Sequence, residues 1–193
     1  MHNRHKVLLQ WDPMRVLLHA CCAPCLSAPH EFLTQEEGHE VVALWYNPNI
    51  HPYTEYLRRL HEVQRYSALR PVEVVYIDEY PLEVWLRMIL DWTATGKFRC
   101  EACYRDRLER CAEYASENGF DAFTTTLLLS RHQPHELVRK VASEASKKYD
   151  IPFLYRDFRR LWKRSIAISR ELHLYRQPYC GCIFSEYERF GEK

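Results

Sequence analysis

Short apolar runs alternate with amphipathic stretches along almost the whole chain, and that alternation narrows the fold more than any other feature. Residues 14–20 (MRVLLHA), 40–46 (EVVALWY), 71–77 (PVEVVYI), 121–129 (DAFTTTLLL) and 152–155 read as strands. Between them, residues 27–37, 53–69, 81–91, 101–118 and 134–148 read as helices, with Tyr53, Tyr56, Leu57, Leu60 and Val63 at helical spacing, and a further helix is expected over about 159–172. The last twenty residues read as irregular or partly helical. Alternating β and α units point to the α/β class: a single domain built on a doubly wound, mostly parallel, Rossmann-like sheet of about five strands. That domain is expected to span 14–193, with residues 1–13 as an N-terminal extension and 154–176 as a basic C-terminal segment. Ligands of such sheets sit beyond the carboxyl ends of the strands. The Cys-bearing loop CCAPC after strand one, the NPNIHP turn after strand two and SRHQPH after strand four should therefore share one edge.

The chemistry expected at that edge is set by what is missing as much as by what is present. The 193 residues include only five glycines, with neither G-x-G-x-x-G nor G-x-x-x-x-G-K-[ST]. Thiols stand where a phosphate-binding loop would. Backbone N–H groups cradle anions; thiolates cradle cations. Eight cysteines fall into three clusters, Cys21-Cys22-x-x-Cys25, Cys100-x-x-Cys103 and Cys180-x-Cys182, with Cys111 apart. The first residues are too polar for a signal peptide and no apolar run approaches the roughly 18–20 residues of a membrane span. The protein is accordingly expected in the cytoplasm, where thiols stay reduced and clustered cysteines signal metal or redox work.

Two C-x-x-C pairs make either a zinc site with four thiolate ligands or an iron–sulfur cluster. Side chains of adjacent cysteines diverge, which suits the several irons of a cubane better than one tetrahedral ion. Four thiolates, Cys21, Cys22, Cys100 and Cys103, suffice for [4Fe–4S]. Cys100 and Cys103 begin a helix, whose N-terminal dipole stabilises thiolate. Cys25 is a cluster ligand, a ligand of a second metal or a bystander. Cys180-Gly181-Cys182 is either a strained, easily reduced disulfide pair or a holder of a separate iron. Cys111 shares an apolar helix stripe with Tyr104, Leu108, Ala112 and Ala115, as a core cysteine would.

Net charge is only +1, yet residues 154–176 hold seven Arg or Lys against two acids, a local +5 that leaves −4 for the rest. Arg156, Arg159, Arg160, Lys163 and Arg164 recur at three- and four-residue steps and can share a helix face against RNA phosphates. Phe158 and Trp162 are either core residues or stacking platforms for unpaired bases. Asp157 ligates iron, protonates a leaving oxygen or pairs with an arginine. Asn47, Asn49 and His51 flank prolines in a tight turn, where turn formation alone accounts for both asparagines. His51, His132 and His135 are candidate proton donors on the active edge. His19 ends an apolar strand and reads as a core residue or a support for the metal site.

Taken together, LLHACCAPC, WYNPNIHPYTEYLRR, CEACYRDRLE, FDAFTTTLLLS, FLYRDFRR and LYRQPYCGCIFS resemble the cobalamin-independent epoxyqueuosine reductases of the QueH type, over about residues 14–185. The resemblance implies deoxygenation of an epoxide on the modified wobble base of tRNA to a cyclopentene, the last step of queuosine synthesis. It implies a [4Fe–4S] cluster on Cys21, Cys22, Cys100 and Cys103. It also implies a redox-active pair at Cys180 and Cys182, or an extra mononuclear iron that these thiols help to hold; Cys25 is a further candidate ligand of such an iron. Expected partners are a tRNA carrying epoxyqueuosine in its anticodon loop, with Asn47 and His51 near the base, and an external electron donor; no membrane is involved. Residues 1–13 and Cys111 inherit no role. Two other readings fit the residues: a zinc-stapled RNA-binding protein without catalysis, and a small iron–sulfur or thiol electron-transfer protein.

Overall fold

In the computed structural model, which describes residues 12–191, four strands form one parallel sheet in the order β3-β2-β1-β4. Strands β1 (Arg15–His19) and β2 (Glu40–Trp45) are central; β3 (Glu73–Tyr76) and β4 (Ala122–Thr125) form the edges. Val16, Leu17 and Leu18 of β1 are fully buried, as are Ala43, Leu44 and Trp45 of β2. Unbroken apolar runs of this kind mark parallel strands covered on both faces. Most of the expected N-terminal extension lies outside the described residues.

Helices α1 (Ala23–Glu31), α2 (Tyr53–Leu69), α3 (Leu82–Ala94), α4 (Arg99–Glu117), α5 (His135–Lys148), α6 (Trp162–Glu171) and α7 (Ile183–Phe190) complete the described architecture. Helix α1 packs on α2 and α6, while α4 packs on α3 and α5 and lies over β1 and β4. No described helix is long and apolar enough to cross a membrane.

The sheet has one strand fewer than expected. Residues 152–155 contribute only a single parallel bridge, Phe123 to Phe153. Pro152 has no N–H to give a ladder, and Phe153 to Tyr155 are only half-buried. The run 121–129 is likewise shorter as a strand than its composition implies. The Thr125 hydroxyl accepts a hydrogen bond from Leu127 N (3.1 Å) and turns Thr126–Leu129 into a 3-10 helix. Helix α1 starts four residues before the expected position. Extended Cys22 caps it, its sulfur accepting from Cys25 N at 3.4 Å, and Pro24 fits the first turn where no N–H is needed. The CCAPC thiols thus stand on a strand-to-helix turn and not on a free loop.

A candidate metal centre at the sheet edge

Seven thiols gather where the sheet ends. Cys21 follows β1 directly, Cys22 and Cys25 open α1, Cys100 and Cys103 occupy the first turn of α4, and Cys180 and Cys182 precede α7. A cleft of about 1210 Å³ is lined by Cys21, Cys25, Cys100, Cys103, Cys180 and Cys182. Asn49 after β2 and Ser130, His132 and Gln133 after β4 line it too. The strand-end rule therefore places the cleft correctly.

The tightest group is Cys21, Cys22 and Cys25, whose sulfurs all lie within 4.8 Å of one another. Cys21 and Cys22 sulfurs are 3.9 Å apart. Cys25, which its spacing leaves open between cluster ligand, ligand of a second metal and bystander, is a full member of this group. Sulfurs so close are suited to sharing one metal ion, so the expectation that the adjacent side chains of Cys21 and Cys22 diverge is not met: the turn into α1 brings them together. Two of them also receive donors from elsewhere: Thr126 Oγ1 gives a hydrogen bond to Cys21 Sγ (3.3 Å) and Gln177 Nε2 one to Cys22 Sγ (2.9 Å). The Cys21 thiol is pulled well below its ordinary pKa by hydrogen bonds from Cys22 and Cys25; the same bonds push Cys25 well up. The hydrogen bonds among the three sulfurs thus favour charge on Cys21, and a metal bound there would take the place of the thiol protons that remain.

Across the cleft, burial pushes Cys100 up to about 11 and Cys103 up to about 12, and the nearby Cys180 and Cys182 add to both shifts. The two thiols of α4 therefore sense charge on the C-G-C turn. Gln133 Nε2 donates to Cys180 Sγ at 3.2 Å and is itself bonded to the Tyr104 hydroxyl.

The C-G-C turn is held from beneath. Arg59, 1% exposed, pairs with buried Glu55 at 2.7 Å and donates to Cys180 O (2.9 Å) and Tyr179 O (3.2 Å). Tyr175 completes the arrangement by donating to Glu55. Gly181 has φ +152°, and a Cβ there would meet Asn49 Nδ2 at 3.2 Å and Ile50 Cγ1 at 3.3 Å. The residue between the two thiols is glycine because the backbone is pressed against the turn after β2.

A second buried guanidinium sits among the thiols. Arg107, 2% exposed, donates from Nη2 to Cys103 Sγ (3.3 Å) and from Nε to Cys103 O (3.1 Å). Burial disfavours its charge, but Cys103, Cys180, Tyr104 and Cys21 more than offset that, and its pKa stands above the usual arginine range. His19 Nδ1 and Nε2 lie 3.0 Å from Thr125 Oγ1 and 3.2 Å from Tyr46 O. Burial, then the Arg107 charge, lowers its pKa to about 4, so this imidazole is neutral beside Cys21.

A scan against protein-family models matches residues 16–188 to "Epoxyqueuosine reductase QueH". The chain belongs to the QueH family. An epoxyqueuosine reductase QueH of Dehalococcoides mccartyi is 37% identical over 178 residues, covering 92% of this chain and 96% of its own. The Staphylococcus epidermidis QueH is 35% identical over 93% of this chain and 81% of its own, and that of Thermotoga maritima 34% over 90% and 91%. The thiol-lined cleft of this QueH-family chain lies inside the matched span.

Other candidate residues fall in different places. Asn47 is buried and ties the ends of β2 and β1 together, Nδ2 donating to Ala20 O at 2.9 Å. His51 is 2% exposed behind the cleft, its ring 4.6 Å from that of Trp85, and burial lowers its pKa to about 4. Asp157 stands on a separate small cavity with Tyr155, Arg156 and Arg160. It caps the 3-10 turn Phe158–Leu161 and pairs with Arg159 at 2.5 Å, which holds its carboxyl down to about 2. Arg156 pairs with Glu37 (2.6 Å) and Arg164 with Glu31 (2.9 Å), while Arg160 lies over the Phe32 ring. Lys163 is exposed. Phe158 is fully buried; Trp162 lines the cleft. His135 bonds Tyr155, and Cys111 is a core residue with no exposure.

Several site residues carry no signature that spacing analysis can detect. Arg59, Arg107, Gln133 and Gln177 are each a polar residue in a polar stretch, indistinguishable in sequence from a solvated face. Asn49 Oδ1 and Trp85 Nε1 are buried without partners at the cleft wall.

Proposed function

We propose that this chain reduces the epoxide of epoxyqueuosine in tRNA to the cyclopentene of queuosine, using an iron–sulfur centre held by the cleft thiols. The observation that carries the reading is the convergence of three cysteine clusters on one cleft in a chain of this family. The donor set fits such a centre in its chemistry: cysteine sulfurs from three clusters line the cleft, with amide and hydroxyl donors aimed at them. Cys21, Cys22, Cys100 and Cys103 would hold a [4Fe–4S] cluster, and Cys25 offers a fifth thiolate beside it. When bound, the cluster supplies electrons one at a time and Lewis acidity.

The overall step takes up two electrons and two protons, breaks both C–O bonds, forms one C=C bond and releases water. Cys180 and Cys182 match the demand for two electrons, since a dithiol that closes to a disulfide gives up two electrons and two protons. Cys180 is exposed and takes a hydrogen bond from Gln133, which positions its sulfur at the mouth of the cleft. Cys182 is buried against Trp85 and Cys103. An external reductant must reopen the disulfide after each turnover. The unpaired Asn49 Oδ1 and Trp85 Nε1 offer an acceptor and a donor to the polar groups of the modified base.

The cleft is also where RNA would enter. Arg99, Arg176, Arg189, His132 and Trp162 line it, and Phe98 at its rim is 52% exposed. These supply cations for phosphates and aromatic faces for splayed anticodon bases. Lys163, Arg159, Arg160, Arg156 and Arg164 extend the basic surface, with Arg156, Arg159 and Arg164 sharing their charge with carboxylates.

The test is anaerobic incubation of the reconstituted protein with epoxyqueuosine-containing tRNA and dithionite, followed by nucleoside analysis. Conversion to queuosine is expected. Unchanged epoxyqueuosine with a fully loaded centre contradicts the proposal.

A further inference from the structure

Arg59 and Arg107 are the two guanidiniums of the described chain that lie almost wholly out of water, and they are provided for differently. Arg59 has a carboxylate, Glu55, at 2.7 Å. Arg107 has none within 4.0 Å among the described residues. Its polar contacts are the Cys103 sulfur, the Cys103 carbonyl and the face of the Tyr104 ring. A buried cation without an anion is costly, and native proteins pair such charges. The Asp106 carboxylate feels this charge from beyond contact distance, and the anions that can be furnished within the cleft Arg107 lines are thiolates: Cys21, Cys25, Cys100, Cys103, Cys180 and Cys182.

We propose that Arg107 is the counter-cation of the thiolate-held centre, a positioning residue that offsets its negative charge and holds its reduction potential up. The inference rests on the iron–sulfur reading above. A cluster gains one negative charge on each one-electron reduction, and a fixed positive charge in a dry site favours the more negative form. Arginine is the residue for the task because it cannot surrender its proton. The bond from Nε to Cys103 O and the i,i+4 spacing on α4 keep the guanidinium in place whether or not the sulfur is metallated.

The test compares full-length wild type with Arg107→Met and Arg107→Lys, each reconstituted anaerobically. Three properties are read: iron and sulfide content, midpoint potential in a dye-mediated titration, and melting temperature of the metal-free form. Arg107→Met should shift the potential negative by at least the 59 mV that corresponds to a tenfold change in a one-electron equilibrium. Arg107→Lys should shift it less. Metal-free Arg107→Met should melt no lower than metal-free wild type, because it loses a buried cation that has no carboxylate in contact. If Arg107→Met cannot be loaded, Arg107→Lys should load. An unchanged potential in Arg107→Met overturns the proposal, as does failure of both variants to load, or a metal-free Arg107→Met that melts several degrees lower. Wild type lacking iron and sulfide would instead refute the underlying iron–sulfur reading, so the two failures are distinguishable.

Discussion

Replacing Cys182 with serine is expected to lower queuosine formation by more than about a hundredfold while leaving the brown colour and iron content of the protein intact. Serine is nearly isosteric, and it keeps the helix cap that Cys182 provides to α7, where its side chain accepts from Ser185 N at 3.4 Å. The fold should therefore be preserved. What is lost is the ability to close a disulfide with Cys180 or to bind a metal softly. Cys180→Ser should behave likewise, but Cys22→Ser should not. Cys22 belongs to the tight sulfur group and to the cap of α1, so its loss removes the colour as well as the activity. The readings are the absorbance of the loaded protein and nucleoside analysis after a single turnover. A Cys182→Ser variant that turns over at the wild-type rate would remove the C-G-C pair from the reaction.

Arg59→Met should cost about 3–5 kcal/mol of stability, because it leaves the Glu55 carboxylate buried with only the Tyr175 hydroxyl and the exposed Arg58 nearby. The same change frees the Cys180 and Tyr179 carbonyls that the guanidinium fastens to α2. Destabilisation and loss of turnover should therefore appear together. Chemical denaturation measures the first, and the anaerobic assay the second. Glu55→Gln is the milder companion, since it keeps hydrogen-bonding capacity without the charge. If Arg59→Met unfolded at the wild-type denaturant concentration, the buried pair would not be what holds the C-G-C turn.

The parts of this fold that sequence patterning reads well are those where burial is uniform. Residues 16–18 and 41–45 are apolar without interruption because helices cover both faces, and they emerge as the central strands. It reads poorly where one hydrogen bond decides the outcome. Thr125 has every appearance of mid-strand, yet its hydroxyl starts a 3-10 turn, and Phe153 lacks neighbours to extend one bridge into a strand. Cysteine is not among the usual helix-capping residues, so nothing in the pattern marks the start of α1 at the thiols. The seven clustered cysteines announce themselves by spacing. Arg107, Gln133 and Gln177 do not, because a polar side chain that supports a sulfur looks in sequence like one that faces water. The basic segment shows the opposite failure. Its run of arginines is conspicuous, but Glu31 and Glu37, more than a hundred residues away, take up part of its charge. Only the tertiary structure brings those acids to it.

What the gathered thiols hold decides whether this protein can reduce an epoxide. Iron, acid-labile sulfide and zinc should be measured on protein purified without exposure to air. About four irons and four sulfides per chain, or one iron more, with zinc only in traces, is the predicted result. One equivalent of zinc with neither iron nor sulfide would contradict it, leaving a stapled fold that could bind RNA but could not supply electrons to an epoxide.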